Sequence, residues 1–285
     1  MKNMSQFLVF SMIIASLFGC KKSQNSQAVL YLEKCGMTPE IGFNAYLDKV
    51  ISWQDSTQFR RGKAITFGVK VHFVGSDNNL NPKIEIDSLM VFLNETFAQA
   101  NIKFKAARKH NFIKSNLTID ALFQESRLED SICKGNYNAK NINLYIFEKS
   151  KDVVGYSHYP IQNQQRIFIS RQKLFDPALV HEFGHFFGLL HTFEHLAGEE
   201  KITGTNCKSA GDKICDTPAD PLGASFLEDD CKLYGNYQNA AGETFRPNMN
   251  NFMSYYGKCR HSFTRNQIDR MFFIAKNIKV DLAVK

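Results

Sequence analysis

Four side chains in one short segment carry the strongest chemical signal in this chain. The segment reads His181-Glu182-Phe183-Gly184-His185-Phe186-Phe187-Gly188-Leu189-Leu190-His191. On a helix, His181 and His185 stand one turn apart and project from one face. Two imidazole nitrogens so placed can grip one zinc ion at about 2.0–2.1 Å. Gly188 can take positive φ and end the helix, which lets His191 turn back to the same ion. Three neutral imidazoles leave a fourth position for water, the pattern of a catalytic zinc rather than a structural one. Glu182 is placed to accept that water's proton as general base. A chain of this composition holds His-Glu-x-x-His by chance about 0.01 times, and the full string about 10⁻⁵ times. The other five histidines, His72, His110, His158, His195 and His261, lack ligand spacing, so surface or packing roles are expected for them.

The surrounding elements must hold these groups. Asp176-Pro177 marks a helix start: Asp accepts free first-turn N–H groups, and Pro at the first helical position gives up no hydrogen bond. That helix is expected to run to about Gly188, with Phe183, Phe186, Phe187, Leu189 and Leu190 as core and Gly184 admitting a close neighbour. Ile65, Phe67, Val69, Val71 and Phe73 alternate with polar residues and predict a half-buried strand. Ile86, Leu89, Met90, Leu93 and Phe97 predict an amphipathic helix over about 84–100. Ile102–Ala106, Asn143–Phe147 and Arg166–Ser170 predict further strands, and a short helix is expected around 41–51. Residues 108–140 are poorly patterned. Residues 192–250 are a long loop without periodicity, which needs bridges or bound ions. Thr264 and Gln267 form a capping box for a last helix, with Ile268, Met271, Phe272 and Ala275 buried.

Composition narrows the classes. The 285 residues are 44% hydrophobic and 22% charged, with 25 Phe, which suits a globular domain with a sizeable core. The net charge is +7, but Lys and Arg are scattered singly or in pairs, so no nucleic-acid surface is expected. Phe7–Phe18 is an apolar run too short to span a bilayer. It fits a secretory signal. It ends in Leu17-Phe18-Gly19-Cys20, similar to a bacterial lipobox, which implies a lipid on Cys20; an ordinary signal peptide is the alternative. Export places the chain in an oxidising compartment. Seven cysteines is an odd count, and Cys20 as lipid anchor would leave six.

At the histidine segment the chain resembles the metzincin metalloproteases. Their zinc motif matches at His181, Glu182, His185, Gly188 and His191, and Asn251-Phe252-Met253-Ser254-Tyr255 resembles their tight turn with Met253 beneath the zinc. His191-Thr192-Phe193, Gly211-Asp212 through Asp216-Thr217-Pro218, Phe263-Thr264 with Gln267 and Arg270-Met271, Ile65–Val74 and Gly155-Tyr156 are similar to the pappalysin family within that clan. The resemblance covers roughly 62–276.

The resemblance implies an α+β fold: a metzincin-like zincin domain in which a twisted mixed sheet, a backing helix and the active-site helix lie above a loop-rich lower subdomain with a C-terminal helix. The expected boundaries are a lipoprotein signal at 1–19, a pro-segment or linker at 20–61 and a catalytic domain at 62–285, divided at 188/189. It implies a zinc endopeptidase acting on proteins or peptides, with substrate extended along an edge strand, Arg166–Ser170, and Tyr255 as an auxiliary to the oxyanion. It implies calcium at Asp212, Asp216 and Thr217; turn hydrogen bonds are the alternative for these acids. Some pappalysins prefer a basic residue after the cut through an acid past the Met-turn; here Gly257-Lys258-Cys259-Arg260 is basic, which argues against that preference.

Four cysteines, Cys207, Cys215, Cys231 and Cys259, lie in the lower part, and four allow three connectivities. The pairing that resembles the family is Cys207–Cys231 with Cys215–Cys259. Cys35-Gly36 resembles the cysteine switch of latent relatives, with the thiolate on zinc; a Cys35–Cys133 disulfide is the alternative. With the switch, a cut near Arg60-Arg61 would release the pro-segment. The expected protein is an exported monomer, tethered to the outer membrane or cell surface or held in the periplasm only through its lipid, or else secreted. Two other classes compete: a catalytically inactive surface adhesin on the same fold, which the intact Glu182 argues against, and a zinc amidase acting on small substrates, which an open edge strand beside the zinc would disfavour.

Overall fold

The long strand β2 (Ile65–Gly75) organises a seven-stranded mixed sheet. The computed structural model describes residues 34–35, 42–57, 60–76, 82–221, 231 and 237–284. The signal segment, Cys20 and most of residues 20–41 lie outside the described residues. Helix α1 (Phe43–Ser56) precedes β2, and α2 (Pro82–Thr96) follows it. Then come β3 (Ile102–Ala106), β4 (Asn111–Lys114), α3 (Ile119–Gln124), α4 (Ser126–Cys133), β5 (Ile142–Phe147), β6 (Val153–Ser157), β7 (Arg166–Ser170), α5 (Pro177–Phe186) and α6 (Arg265–Asn277). A two-residue strand β1 (Lys34–Cys35) completes the sheet. Among the described residues no helix is long and apolar enough to cross a membrane.

The strand order is β1-β6-β7-β5-β2-β3, with β4 also on β2. Strands β2, β3, β4, β5 and β7 run parallel, β6 runs antiparallel to β7, and β1 lies parallel to β6. This corrects one expectation. Arg166–Ser170 is an interior strand, paired on both sides; the strand at that margin of the sheet is β6, covered only by β1. Interior strands are buried on both faces, and Ile167, Phe168 and Ile169 are all inaccessible. Strand β6 escapes sequence detection because Val153-Val-Gly-Tyr-Ser157 is short and interrupted by Gly155. Its start is fixed from outside: the Asp120 carboxylate on α3 accepts the N–H groups of Lys151, Asp152 and Val153 at 2.8–2.9 Å.

One face of the sheet packs against α2, α5 and α6, where most of the phenylalanine surplus collects. Phe97, Phe104, Phe183 and Phe187 form a cluster of edge-to-face and tilted rings with centroids 5.1–6.4 Å apart, spacing at which aromatic quadrupoles attract. The other face, with Tyr145, Phe147, Tyr156 and Phe168, is covered by α3 and α4 through Ile119, Leu122 and Ile132. These two helices lie within the stretch that lacked a clear pattern. Cys133 is a free thiol in this second layer, which rules out the Cys35–Cys133 disulfide. Burial raises its pKa to about 11.

The pairing of the lower cysteines also differs from the expectation. The bridges are Cys207–Cys215 and Cys231–Cys259, not Cys207–Cys231 and Cys215–Cys259. Gly211 and Lys213 both take positive φ, 58° each, and curl the short segment so that the Cα atoms of Cys207 and Cys215 stand 5.0 Å apart. That lies in the range a disulfide spans.

Candidate metal centre

Helix α5 delivers the first two histidines. Its start is capped as expected, with the Asp176 carboxylate accepting the Ala178 N–H at 2.9 Å and Pro177 in the first turn. Such a cap contributes about 1 kcal/mol. The helix ends at Phe186, slightly earlier than the sequence suggested. Gly188 takes φ +83°, and the Leu189 N–H returns to the Gly184 carbonyl at 3.0 Å. This left-handed exit reverses the chain and carries His191 back over the helix.

The three imidazoles converge. His185 Nε2 lies 3.0 Å from His181 Nε2 and 3.1 Å from His191 Nε2. Nitrogens around a tetrahedral ion bonded at about 2.0–2.1 Å would stand roughly 3.3–3.4 Å apart, so the triad matches such an ion closely. The opposite ring nitrogens are committed elsewhere: His181 Nδ1–H donates to the Phe252 carbonyl and His185 Nδ1–H to the Leu189 carbonyl, both at 2.8 Å. That fixes the tautomer and leaves the Nε2 lone pairs facing one another. All three rings are buried, and burial holds His185 down at about 4 and His181 and His191 well below the usual imidazole range. Neutral imidazoles with converging lone pairs and no proton to share suit a cation. Among the described residues, this is the one group of three such side chains that could hold a metal.

Glu182 is buried on the same helix, and its backbone carbonyl accepts the Ser157 hydroxyl of β6 at 2.8 Å. A Cβ on Gly155 would lie 3.2 Å from Glu182 Cγ and 2.9 Å from the Phe168 carbonyl. Gly155 is therefore what lets β6 pass close to the acid. Met253 lies beneath the helix, with its Sδ only 2.4 Å from where a Gly184 Cβ would stand. The turn around it is held by Asn251, whose Oδ1 accepts the Met253 N–H at 2.8 Å. Gln267 locks that Asn251 from α6 through paired amide bonds of 2.9 and 3.1 Å, while its backbone and side chain complete the Thr264 capping box. The Thr192 N–H donates to the Met253 carbonyl at 3.1 Å, joining the residue after His191 to the turn. Tyr255 is half-buried beside the triad, its ring 5.0 Å from His191 and 5.8 Å from His181.

Further side chains support the site. Phe193 stacks on His191 at 4.7 Å. Asp220 is buried and accepts the Thr192 hydroxyl at 2.7 Å and the Tyr256 hydroxyl at 2.9 Å. Tyr159 packs edge-on against His185, its hydroxyl 3.3 Å from Nδ1. Arg260 is buried rather than presented to substrate, and its guanidinium donates to the carbonyls of Ser254 and Gly257. No spacing rule marks Asp220 or Tyr159, because each acts across the fold. The remaining histidines stand apart from the triad: His72 is buried against Tyr145 and Asn143, and His158 pairs with Glu129.

The residues expected at calcium separate. Asp212 is buried and accepts the Thr217 hydroxyl and the Ile214 N–H at 2.9 Å. Asp216 is exposed and accepts the Asn266 N–H at 2.8 Å, capping the start of α6 instead. Burial, and secondarily Glu200, raises the Asp212 carboxyl well above its usual range. Glu200 Oε2 is itself buried with no hydrogen-bond partner, and burial raises that carboxyl to about 7.

The sequence model of the Peptidase_M43 family, described as pregnancy-associated plasma protein-A, matches residues 129–275, from within α4 into α6. An extracellular metalloprotease of Sordaria macrospora is 26% identical over 236 residues, covering 73% of this chain and 74% of its own. One from Neurospora crassa is 27% identical over 207 residues, 65% of each chain. One from Podospora anserina is 24% identical over 279 residues, covering 89% of this chain and 87% of its own. These relatives are fungal and lend no support to the bacterial source that a lipobox at Cys20 implies.

Proposed function

The chain belongs to the Peptidase_M43 family, and on that footing we propose that it is an exported zinc-dependent endopeptidase of metzincin type, held latent by its N-terminal segment. The observation that carries this reading is the convergence of three Nε2 atoms at 3.0–3.1 Å beside a buried glutamate. His181, His185 and His191 would hold the ion. Zinc, when bound, supplies a Lewis acid that acidifies water and polarises a carbonyl. Glu182, one residue from a ligand, takes the water's proton and returns it to the leaving amine. Met253 and Gly184 fix the height of the helix over its floor. Tyr255, next to the rings of His181 and His191, is an auxiliary donor to the developing oxyanion. Substrate backbone would add to β6, whose outer edge lies beside the Glu182 stem. Names of the relatives support export.

Latency is supported by β1. In the described structure the outer edge of β6 is taken by Lys34–Cys35, and Cys35 stands opposite Gly155. That is the register position against which Glu182 packs. A segment of the chain's own N-terminus thus occupies the strand position a substrate needs, with Cys35 as the expected fourth ligand. Calcium at Asp212 and Thr217, with Glu200 replacing Asp216, is supported by the buried, unpartnered Oε2 of the half-buried Glu200 and by its charge beside the buried Asp212. A calcium-dependent rise in Tm, lost in Asp212→Asn, checks that site.

The test of the activity is digestion of casein or a peptide library by zinc-loaded, trypsin-treated protein, with Glu182→Ala and a chelator as controls. Cleavage that stops in both controls is expected. No cleavage by the wild type would overturn the enzyme reading, and equal activity before and after trypsin would overturn latency.

A further inference from the structure

Helix α1 falls inside the stretch expected to be discarded on activation, yet it is built into the domain. Phe43, Leu47 and Val50 are buried, at 0%, 1% and 3% exposure. Val50 belongs to the main core, and Phe43 and Leu47 form a separate cluster with Tyr159 and Leu190, next to His191. The Phe43 ring stacks on Tyr159 at 4.2 Å, and Tyr159 packs against His185.

Polar contacts tie the same helix to the lower part. Lys213, whose side chain is 3% exposed, reaches Asp48 at 2.5 Å. The buried Arg270 donates from Nε to Gln54 Oε1 at 3.0 Å. Loss of α1 would strip partners from two buried cations, an outcome that folded proteins avoid. The dibasic pair, moreover, is anchored: Arg61 binds Asp269 at 2.9 Å and donates to the Gln99 carbonyl.

We propose that α1 is a permanent wall of the metal centre, in which Phe43 is a positioning residue that holds Tyr159 and through it His185, so that maturation cuts on the N-terminal side of Gly42 and leaves α1 in place. The proposal rests on the metalloprotease reading but fails separately from it. It divides the N-terminal segment into two parts with opposite fates. The part carrying β1 covers the β6 edge and must leave. The part carrying α1 braces the histidine that joins the other two and must stay. A trypsin nick at Arg60-Arg61 would not release α1, because its apolar face and its ion pairs remain engaged.

The test uses the full chain. Trypsin-treated protein is separated by size exclusion, its peptides are identified by mass, and its casein activity is measured with Glu182→Ala alongside. Material that cleaves casein is expected to retain residues 43–57, bound covalently or as a nicked fragment. Active material lacking those residues would overturn the proposal, whereas Glu182-independent or absent cleavage would strike the protease reading instead. Zinc affinity, measured by chelator competition at a temperature where each variant is folded by circular dichroism, gives a second readout. Phe43→Ala is expected to weaken zinc binding about 10-fold or more, the range for lost ligand support. Trp53→Ala, on the same helix but packed on Phe273 at 5.0 Å, is expected to lower Tm with unchanged zinc affinity. Equal zinc affinity in Phe43→Ala and wild type would overturn the positioning role.

Discussion

Gly184→Ala offers a sharp test of how the metal helix sits on its floor. An ideal Cβ there would stand 2.4 Å from Met253 Sδ and 3.2 Å from its Cε, and Met253 is wholly buried. The sulfur cannot swing into solvent, so the added methyl must displace packed neighbours, at about 1–3 kcal/mol. Alanine within a helix is about 1 kcal/mol better than glycine, so the net loss is about 0–2 kcal/mol. Met253→Ala alone should cost about 2–5 kcal/mol through the cavity it leaves. In that background the clash is gone, and the helix gain and partial filling of the cavity remain. Gly184→Ala should then stabilise by about 1 kcal/mol. The effect thus changes sign between backgrounds, a coupling of about 1–3 kcal/mol. Urea denaturation of the four proteins, followed by far-UV circular dichroism, measures the cycle, with equal m-values required for the comparison. Additive effects of the same sign would refute the close packing of Met253 beneath Gly184.

Three further outcomes are expected. Gly155→Ala should cut kcat/KM at least about 10-fold, because its methyl crowds Glu182 and displaces β6; unchanged kinetics would show that the strand and the acid do not meet there. Asp220→Ala should weaken zinc binding by about 10–100-fold, since the hydroxyl of Thr192, the residue after His191, and that of Tyr256 lose their shared acceptor; chelator competition reads this directly. Lys279 is buried, with its ammonium over the Phe186 ring, and burial lowers its pKa to about 7. Its folded pKa lies below the unfolded value of 10.5, so the unfolded chain binds more protons between the two. Lys279 should therefore make stability rise with pH between about 7 and 10.5, and Lys279→Met should remove that rise and raise Tm at neutral pH. An unaltered pH profile in the variant would contradict the assignment.

How much of this was legible in the chain depends on the distance over which each feature acts. The histidine segment could be read directly, because helical spacing and a terminal glycine are local rules: ligand convergence follows from the i, i+4 geometry and the reversal at Gly188. The Asp176 cap, the Thr264 capping box, β2, β3, β5 and β7 were legible for the same reason, whereas the Met253 turn was reached through the family resemblance. The pairing of strands was not. Arg166–Ser170 reads as a strand but carries nothing that says interior, and β6, the true margin, is too short and too glycine-interrupted to announce itself. Cysteine pairing was not legible, because the Cys207–Cys215 bridge depends on positive φ at Gly211 and Lys213, not on spacing.

The sequence by itself determined the chemistry: which atoms could meet a metal, which acid stands beside them, and which residue ends the helix. These are consequences of covalent order and helical geometry. Only the tertiary structure decided that β6 passes beside Glu182, that Lys34–Cys35 pairs with that strand, and that Phe43 of α1 packs on Tyr159. Those outcomes are set by contacts between residues far apart in the chain, such as Phe43 with Tyr159 and Asp48 with Lys213. Burial, not sequence neighbourhood, selects such contacts.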